Sequence, residues 1–191
     1  MLNFNLSKKQ TGLLIIDMQD KVFAAVERGH EILQTIIKVM KGLQILNIPI
    51  YLSEQYPQGL GETLLPIKTV LGNDYKPWKK TTFSCIDDSS FLSFIKESSI
   101  EQWILVGIEA HVCVLQTAKG LIKQGKQVVV LNDAITSRSI FDFSTAIAEM
   151  RDAGIRISCS ETILFELLQD CRSPEFKQIS QLIKSHCTCQ P

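Results

Sequence analysis

The sequence predicts an α/β fold of the three-layer α/β/α kind, a mostly parallel sheet covered by helices on both faces. Three observations predict it. Short apolar, branched runs alternate with longer segments of helical period, the order that parallel strands joined by crossover helices require. Those runs are nearly continuous in hydrophobicity rather than alternating, as strands buried on both faces are. The 191 residues are 45 % hydrophobic and 21 % charged, which supplies enough apolar material for a sizeable core.

In chain order, strands are expected over residues 11–16, 48–53, 102–106, 127–131 and 155–159, with a sixth, short one near 78–83. Between the first two, Ile32, Leu33, Ile36, Ile37, Met40 and Leu43 recur at three and four, placing one apolar stripe on a helix over 28–46. Residues 91–98 form a short amphipathic helix before the strand at Trp103. Leu115, Ala118, Leu121 and Ile122 mark another, closed by Gly125. Ser139 opens the next, with Ile140, Phe143, Ile147 and Met150 on one side and Gly154 beyond its end. Pro174 starts a last helix reaching Lys184. The stretch 55–79, with Pro57, Pro66, Pro77, Gly59, Gly61 and Gly72 and no sustained period, reads as a long loop of the kind that usually serves binding. One domain is expected over 1–191, its core about 11–184 and its tail, 185–191, disordered.

Twenty Lys and Arg balance twenty Asp and Glu, so no global field draws a polyanion, and a nucleic-acid partner is not expected. No apolar run approaches the ~20 residues of a bilayer span, so no membrane partner is expected either. The first ten residues lack a basic start followed by an apolar stretch of roughly 7–15 residues, which points to a cytoplasmic protein. In that compartment Cys85, Cys113, Cys159, Cys171, Cys187 and Cys189 are expected as free thiols.

Three segments stand out chemically. In Leu13-Leu14-Ile15-Ile16-Asp17-Met18-Gln19 an apolar strand runs into a carboxylate at its C-terminal end, the edge where open α/β sheets bind ligands. Asp17 is there either as a functional acid or as a cap of the next turn. In Val106-Gly107-Ile108-Glu109-Ala110-His111-Val112-Cys113 a strand ends in Gly and delivers a cysteine to the start of a helix. Helix-terminal amides there are expected to lower the thiol pKa; the bland alternative is a buried, inert Cys113. In Lys79-Lys80-Thr81-Thr82-Phe83-Ser84-Cys85 two lysines meet a β-branched stretch. Either is free to be solvated, and one turned toward Asp17 and Cys113 would favour both anions. Spacing alone does not choose between Lys79 and Lys80.

Together, in this order and spacing, the three segments resemble the signatures of the isochorismatase-like cysteine hydrolases. Glu54-Gln55-Tyr56-Pro57-Gln58-Gly59-Leu60-Gly61 and Asp133-Ala134-Ile135-Thr136-Ser137-Arg138-Ser139 further resemble the isochorismatase-domain-containing branch. The resemblance covers about residues 12–184. It implies a six-stranded, Rossmann-like parallel sheet with its site at the C-terminal edge, and a catalytic triad of Asp17, Lys80 and Cys113. It also implies a cis peptide at Ile108-Glu109 that turns the Glu109 amide inward, to form an oxyanion hole with the amide of Cys113.

The metal-dependent relatives carry an Asp and paired His between the first two signatures, whereas no His lies between His30 and His111 here, so neither a metal nor another cofactor is expected. True isochorismatases need no cysteine nucleophile. Cys113 therefore favours hydrolysis of a small amide-like substrate through a thioester. The alternatives are a vinyl-ether hydrolase using Asp17 as acid, and a relict fold kept as an interaction scaffold. Substrate contacts are expected from Gln19 of the first signature, from Phe23, which resembles a pocket-lining aromatic of relatives, and from Tyr56, Trp78 and His111. A homo-oligomer is expected from the family habit of pairing sheets through helices and loops. Cys85 is expected to pack, His30 and His186 to face solvent, and Cys187 and Cys189 to lie in the tail, where two thiols make only half of a tetrahedral zinc site.

Overall fold

Residues 4–185 are described by a computed structural model. The first half of the chain runs β1 (Thr11–Ile16), α1 (Asp20–Phe23), α2 (Gly29–Ile45), β2 (Ile50–Gln55), α3 (Pro57–Leu60), α4 (Leu65–Leu71), β3 (Trp78–Lys80) and α5 (Ser89–Glu97). The second runs β4 (Gln102–Ile108), α6 (Leu115–Lys123), β5 (Gln127–Thr136), α7 (Ile140–Asp152), β6 (Arg156–Ser158), α8 (Ser160–Leu168) and α9 (Phe176–Ser185). Six parallel strands are ordered β3-β2-β1-β4-β5-β6. The three-layer α/β/α fold is therefore the observed one.

Alternate residues of each strand feed opposite cores, which is why the strands read as unbroken apolar runs. Leu13 and Ile15 enter the core built with α2, α4, α8 and α9, while Leu14 and Ile16 enter the one built with α5, α6 and α7. The sheet winds outward from β1 to β2 and β3, then crosses back so that β4 lies on the other side of β1. That reversal is a topological switch point, the place beyond the carboxyl ends of β1 and β4 where open α/β sheets bind their ligands.

Several boundaries differ from the expected ones. The stretch 55–79 is not a bare loop: α4 buries Ile67 and Leu71 behind Pro66 in its first turn, a helix too short to show a period. β2 starts two residues later than expected, after Pro49, and β5 runs on to Thr136. β5 lengthens because its register against β4 jumps between Leu105 and Gly107, leaving Asn132 and Asp133 outside the ladder. Asp133 then accepts from the Ser160 amide (3.0 Å) and hydroxyl (2.6 Å), and so caps α8, a helix the sequence reading did not place. Ile163, Leu164, Leu167 and Leu168 form its buried stripe. Cys187, Cys189, His186 and most of the expected tail lie outside the described residues.

Candidate active site

Asp17 follows directly on β1, at φ 50°. Its carboxylate is almost fully buried and accepts from Ser53 Oγ at the end of β2 (2.7 Å, Oδ1) and from Lys80 Nζ at the end of β3 (2.7 Å, Oδ2). Strand alternation decides which lysine serves. Trp78 packs with Tyr51, Phe91 and Phe94 on the α5 side, so Lys80, two residues on, shares that face, while Lys79 points out and is exposed. Lys80 is 3 % exposed, and its ammonium also donates to Gln55 Oε1 (2.7 Å) and to the carbonyls of Thr82 and Phe83 (3.2 Å each).

The third segment arrives through a close backbone approach. Gly107 pairs with Ile16 at φ 117°, and a Cβ there would lie 2.1 Å from the Ile16 carbonyl oxygen. Only glycine lets the ends of β1 and β4 meet so closely. Past it the Ile108–Glu109 peptide is cis, and Ala110–Val114 form a single π-helical turn in which the Val114 amide donates to Glu109 O at 3.2 Å. Such turns occur often at functional sites. Cys113 sits in that turn, 7 % exposed, within the field of the Asp17 carboxylate and the Lys80 ammonium. Two contacts tie this turn to the segment after β5. His111 Nδ1 lies 3.0 Å from Ser137 Oγ, and Arg138 Nε donates to Glu109 Oε1 at 2.7 Å.

The thiol differs from expectation in its proton affinity. Burial first, then the Asp17 charge, push the Cys113 pKa well above its ordinary range, and the lowering by Lys80 does not offset them. The expected lowering by helix amides is thus corrected: Cys113 rests as a thiol beside a carboxylate. Lys80 moves the other way from a usual buried lysine. Burial alone would lower its pKa, but the Asp17 carboxylate raises it overall, which keeps it an ammonium.

The remaining expected residues fall in different places. Gln19 is 0 % exposed and its carboxamide is taken up by the chain, donating to Gln55 O (3.0 Å) and Gly61 O (2.6 Å) and accepting from Gln55 N (2.7 Å). It anchors the segment after β2. Trp78 belongs to the aromatic cluster at the opposite end of β3 from Lys80. Phe23 is half-buried edge-on to His30, with ring centroids 5.4 Å apart, and Tyr56 is 53 % exposed beyond the end of β2. His111 is half-buried on its bond to Ser137.

Two participants, Ser53 and Gln55, were given no role in the sequence, whereas Cys85 packs as expected. Cys85 is 1 % exposed, its amide accepted by Thr117 Oγ1 at 3.0 Å, and burial pushes its thiol up to about 11. Ser53-Glu54-Gln55 did carry a signal, since three polar residues closing an apolar strand in an α/β sheet lie at the ligand-binding edge. Among the described residues, no cluster of three or more His, Cys, Asp or Glu side chains could hold a metal, and no helix is long and apolar enough to cross a membrane.

A parallel α/β sheet with an acid, an amine and a thiol converging at its switch point defines a class, and the sequence comparison gives the family. The model of the isochorismatase domain matches residues 11–162, and the chain belongs to that family. Isochorismatase domain-containing protein 2 of Danio rerio is 35 % identical over 178 residues, which cover 93 % of this chain and 89 % of that protein. Isochorismatase domain-containing protein 1 of the same species is 34 % identical over 94 % of this chain, which spans 63 % of that longer protein. Among solved structures, one described as MAR1 ribonuclease from Caenorhabditis elegans superposes with a TM-score of 0.90 at 33 % identity, covering 97 % of this chain and 95 % of that one.

Proposed function

We propose that this chain is a cysteine hydrolase that cleaves a small amide-like substrate through a thioester on Cys113. One observation carries the reading. Asp17, 1 % exposed, is bonded at 2.7 Å to the ammonium of Lys80, 3 % exposed, and its charge bears directly on the buried Cys113 thiol. A buried carboxylate against a thiol is a general base beside a nucleophile.

The resting thiol sets the order of events. Because Cys113 is protonated, Asp17 takes its proton as the sulfur attacks the carbonyl carbon, and a Cys–C bond forms while the carbonyl π pair moves to oxygen. The amides of Glu109 and Cys113 receive that oxyanion, a device whose single donors are worth about 2.7–4 kcal/mol in related acyl transfer. The Glu109 amide donates to no backbone carbonyl among the described residues, consistent with an open donor. Collapse breaks the C–N bond, and Asp17 returns its proton to the departing amine. Water, deprotonated by Asp17, then attacks the thioester, releases the acid and restores the thiol. Lys80 stays charged throughout and stabilises the anions.

The test is a panel of small primary amides, with ammonia release and intact mass followed together. The expected result is an acyl adduct confined to Cys113, and turnover abolished in Cys113→Ala. Equal turnover of wild type and Cys113→Ala on an amide overturns the thioester. Turnover of a vinyl ether by both would assign the acid chemistry of Asp17 instead, and no turnover of any member would favour a scaffold.

A further inference from the structure

We propose that Gln55 is a positioning residue of this site: its carboxamide oxygen holds the Lys80 ammonium in place between Asp17 and the Thr82–Phe83 turn. The inference rests on the hydrolase reading above and adds a residue to it. Gln55 is the last residue of β2, 9 % exposed, and is held at every polar atom. Its Oε1 accepts from Lys80 Nζ at 2.7 Å, and its Nε2 donates to Thr81 O at 2.8 Å, which fixes the oxygen toward the ammonium and forbids the flipped amide. Its backbone is clamped on both sides by one side chain. Gln19 Oε1 accepts from Gln55 N (2.7 Å), and Gln19 Nε2 donates to Gln55 O (3.0 Å).

The physical need for such a residue follows from the company Lys80 keeps. Its ammonium is out of water, and four oxygens surround it: Asp17 Oδ2, Gln55 Oε1, Thr82 O and Phe83 O. The titratable neighbours are Asp17, Cys85 and Cys113, with Asp88 at the start of α5 also within reach of its charge. Asp17 alone would draw the ammonium fully onto the carboxylate and weaken it as a base. A neutral acceptor of equal distance on the other side shares the ammonium without adding a charge. Gln55 thereby links the segment from Tyr56 to Gly61, which Gln19 also grips, to the charge at the centre.

The experiment reads Lys80 directly and needs no substrate. Protein labelled at lysine Cε is titrated by NMR, with Lys80 assigned through Lys80→Arg, in wild type, Gln55→Leu and Gln55→Glu. Loss of the acceptor in Gln55→Leu removes stabilisation of a buried cation, so the Lys80 midpoint should fall by about one pH unit or more. Gln55→Glu restores an oxygen and adds a charge, so the midpoint should rise above that of Gln55→Leu. Alkylation of Cys113, followed by mass against pH, should become about tenfold slower at a fixed pH in Gln55→Leu, because an ammonium drawn fully onto Asp17 leaves that carboxylate less able to take the thiol proton. An unchanged Lys80 midpoint in a folded Gln55→Leu, or a change seen only in thermal stability, would assign Gln55 a structural part and overturn the proposal. If instead Lys80 responds as expected but wild-type Cys113 gives no acyl adduct with any amide, the hydrolase reading fails and the placement of Lys80 by Gln55 stands.

Discussion

At Asp17 two bonds of 2.7 Å and a neighbouring thiol meet on one buried carboxylate, so a single substitution there should cost chemistry and stability together. Asp17→Asn removes the base and leaves the Lys80 charge facing a neutral amide. Turnover is expected to fall by about 10²–10⁴, the usual worth of a positioned base. Stability is expected to fall by about 3–5 kcal/mol, the cost of stranding one partner of a buried ion pair, to be read from urea denaturation. A variant that keeps its turnover would remove Asp17 from the mechanism. Ser53→Ala takes away one donor from the same carboxylate. A hydrogen bond to a charged group is worth about 1.5–3 kcal/mol, so stability should fall by that order in urea denaturation, with a smaller loss of turnover than in Asp17→Asn. At this scale the sequence showed the residue types and their order. It did not show that Cys113 rests protonated, because that depends on burial and on Asp17, 96 residues away in the chain.

Strand ends and helix starts carry these residues, and their geometry has its own tests. Gly107→Ala should be among the most damaging substitutions outside Asp17, Lys80 and Cys113, because the new methyl would sit 2.1 Å from the Ile16 carbonyl at a positive φ. The ends of β1 and β4 would part, with a loss of stability above about 1–3 kcal/mol and a fall in turnover together, checked by thermal melting beside the amide assay. Ser139→Ala offers the contrast. It deletes the N-cap of α7, whose hydroxyl accepts from the Asp142 amide at 3.2 Å, and should cost about 1 kcal/mol of stability while leaving turnover unchanged. That cap was legible because a hydroxyl before a periodic apolar stripe is a local signal. The helix after β6 was not, since its start is capped by Asp133 from β5, 27 residues earlier. α4 escaped notice for another reason: seven residues are too few for a period to appear among prolines and glycines.

Across the molecule the two buried thiols make stability depend on alkaline pH. Cys85 is raised to about 11 by burial, and Cys113 is raised further, so between pH 9 and 11 an unfolded chain ionises both while the folded one keeps both protons. Stability is therefore full below about pH 9 and should fall above it, by up to about 1.4 kcal/mol per pH unit for each thiol. Denaturant midpoints at pH 8 and pH 10.5 check this, and Cys85→Ala should flatten the slope; a wild-type midpoint unchanged at pH 10.5 would contradict it. The same long-range burial separates what the chain announces from what it conceals. Layer order and the apolar faces of α2, α6 and α7 were legible in the sequence, since each is written in residues one or two turns apart, while the candidate acid, amine and thiol were picked out together only through the family resemblance. Which lysine turns inward, how Gln19 and Gln55 spend their amides, and where the proton of Cys113 rests were decided only in three dimensions. Those properties belong to strand register and to the exclusion of water, and both arise when the ends of β1, β2, β3 and β4 come together.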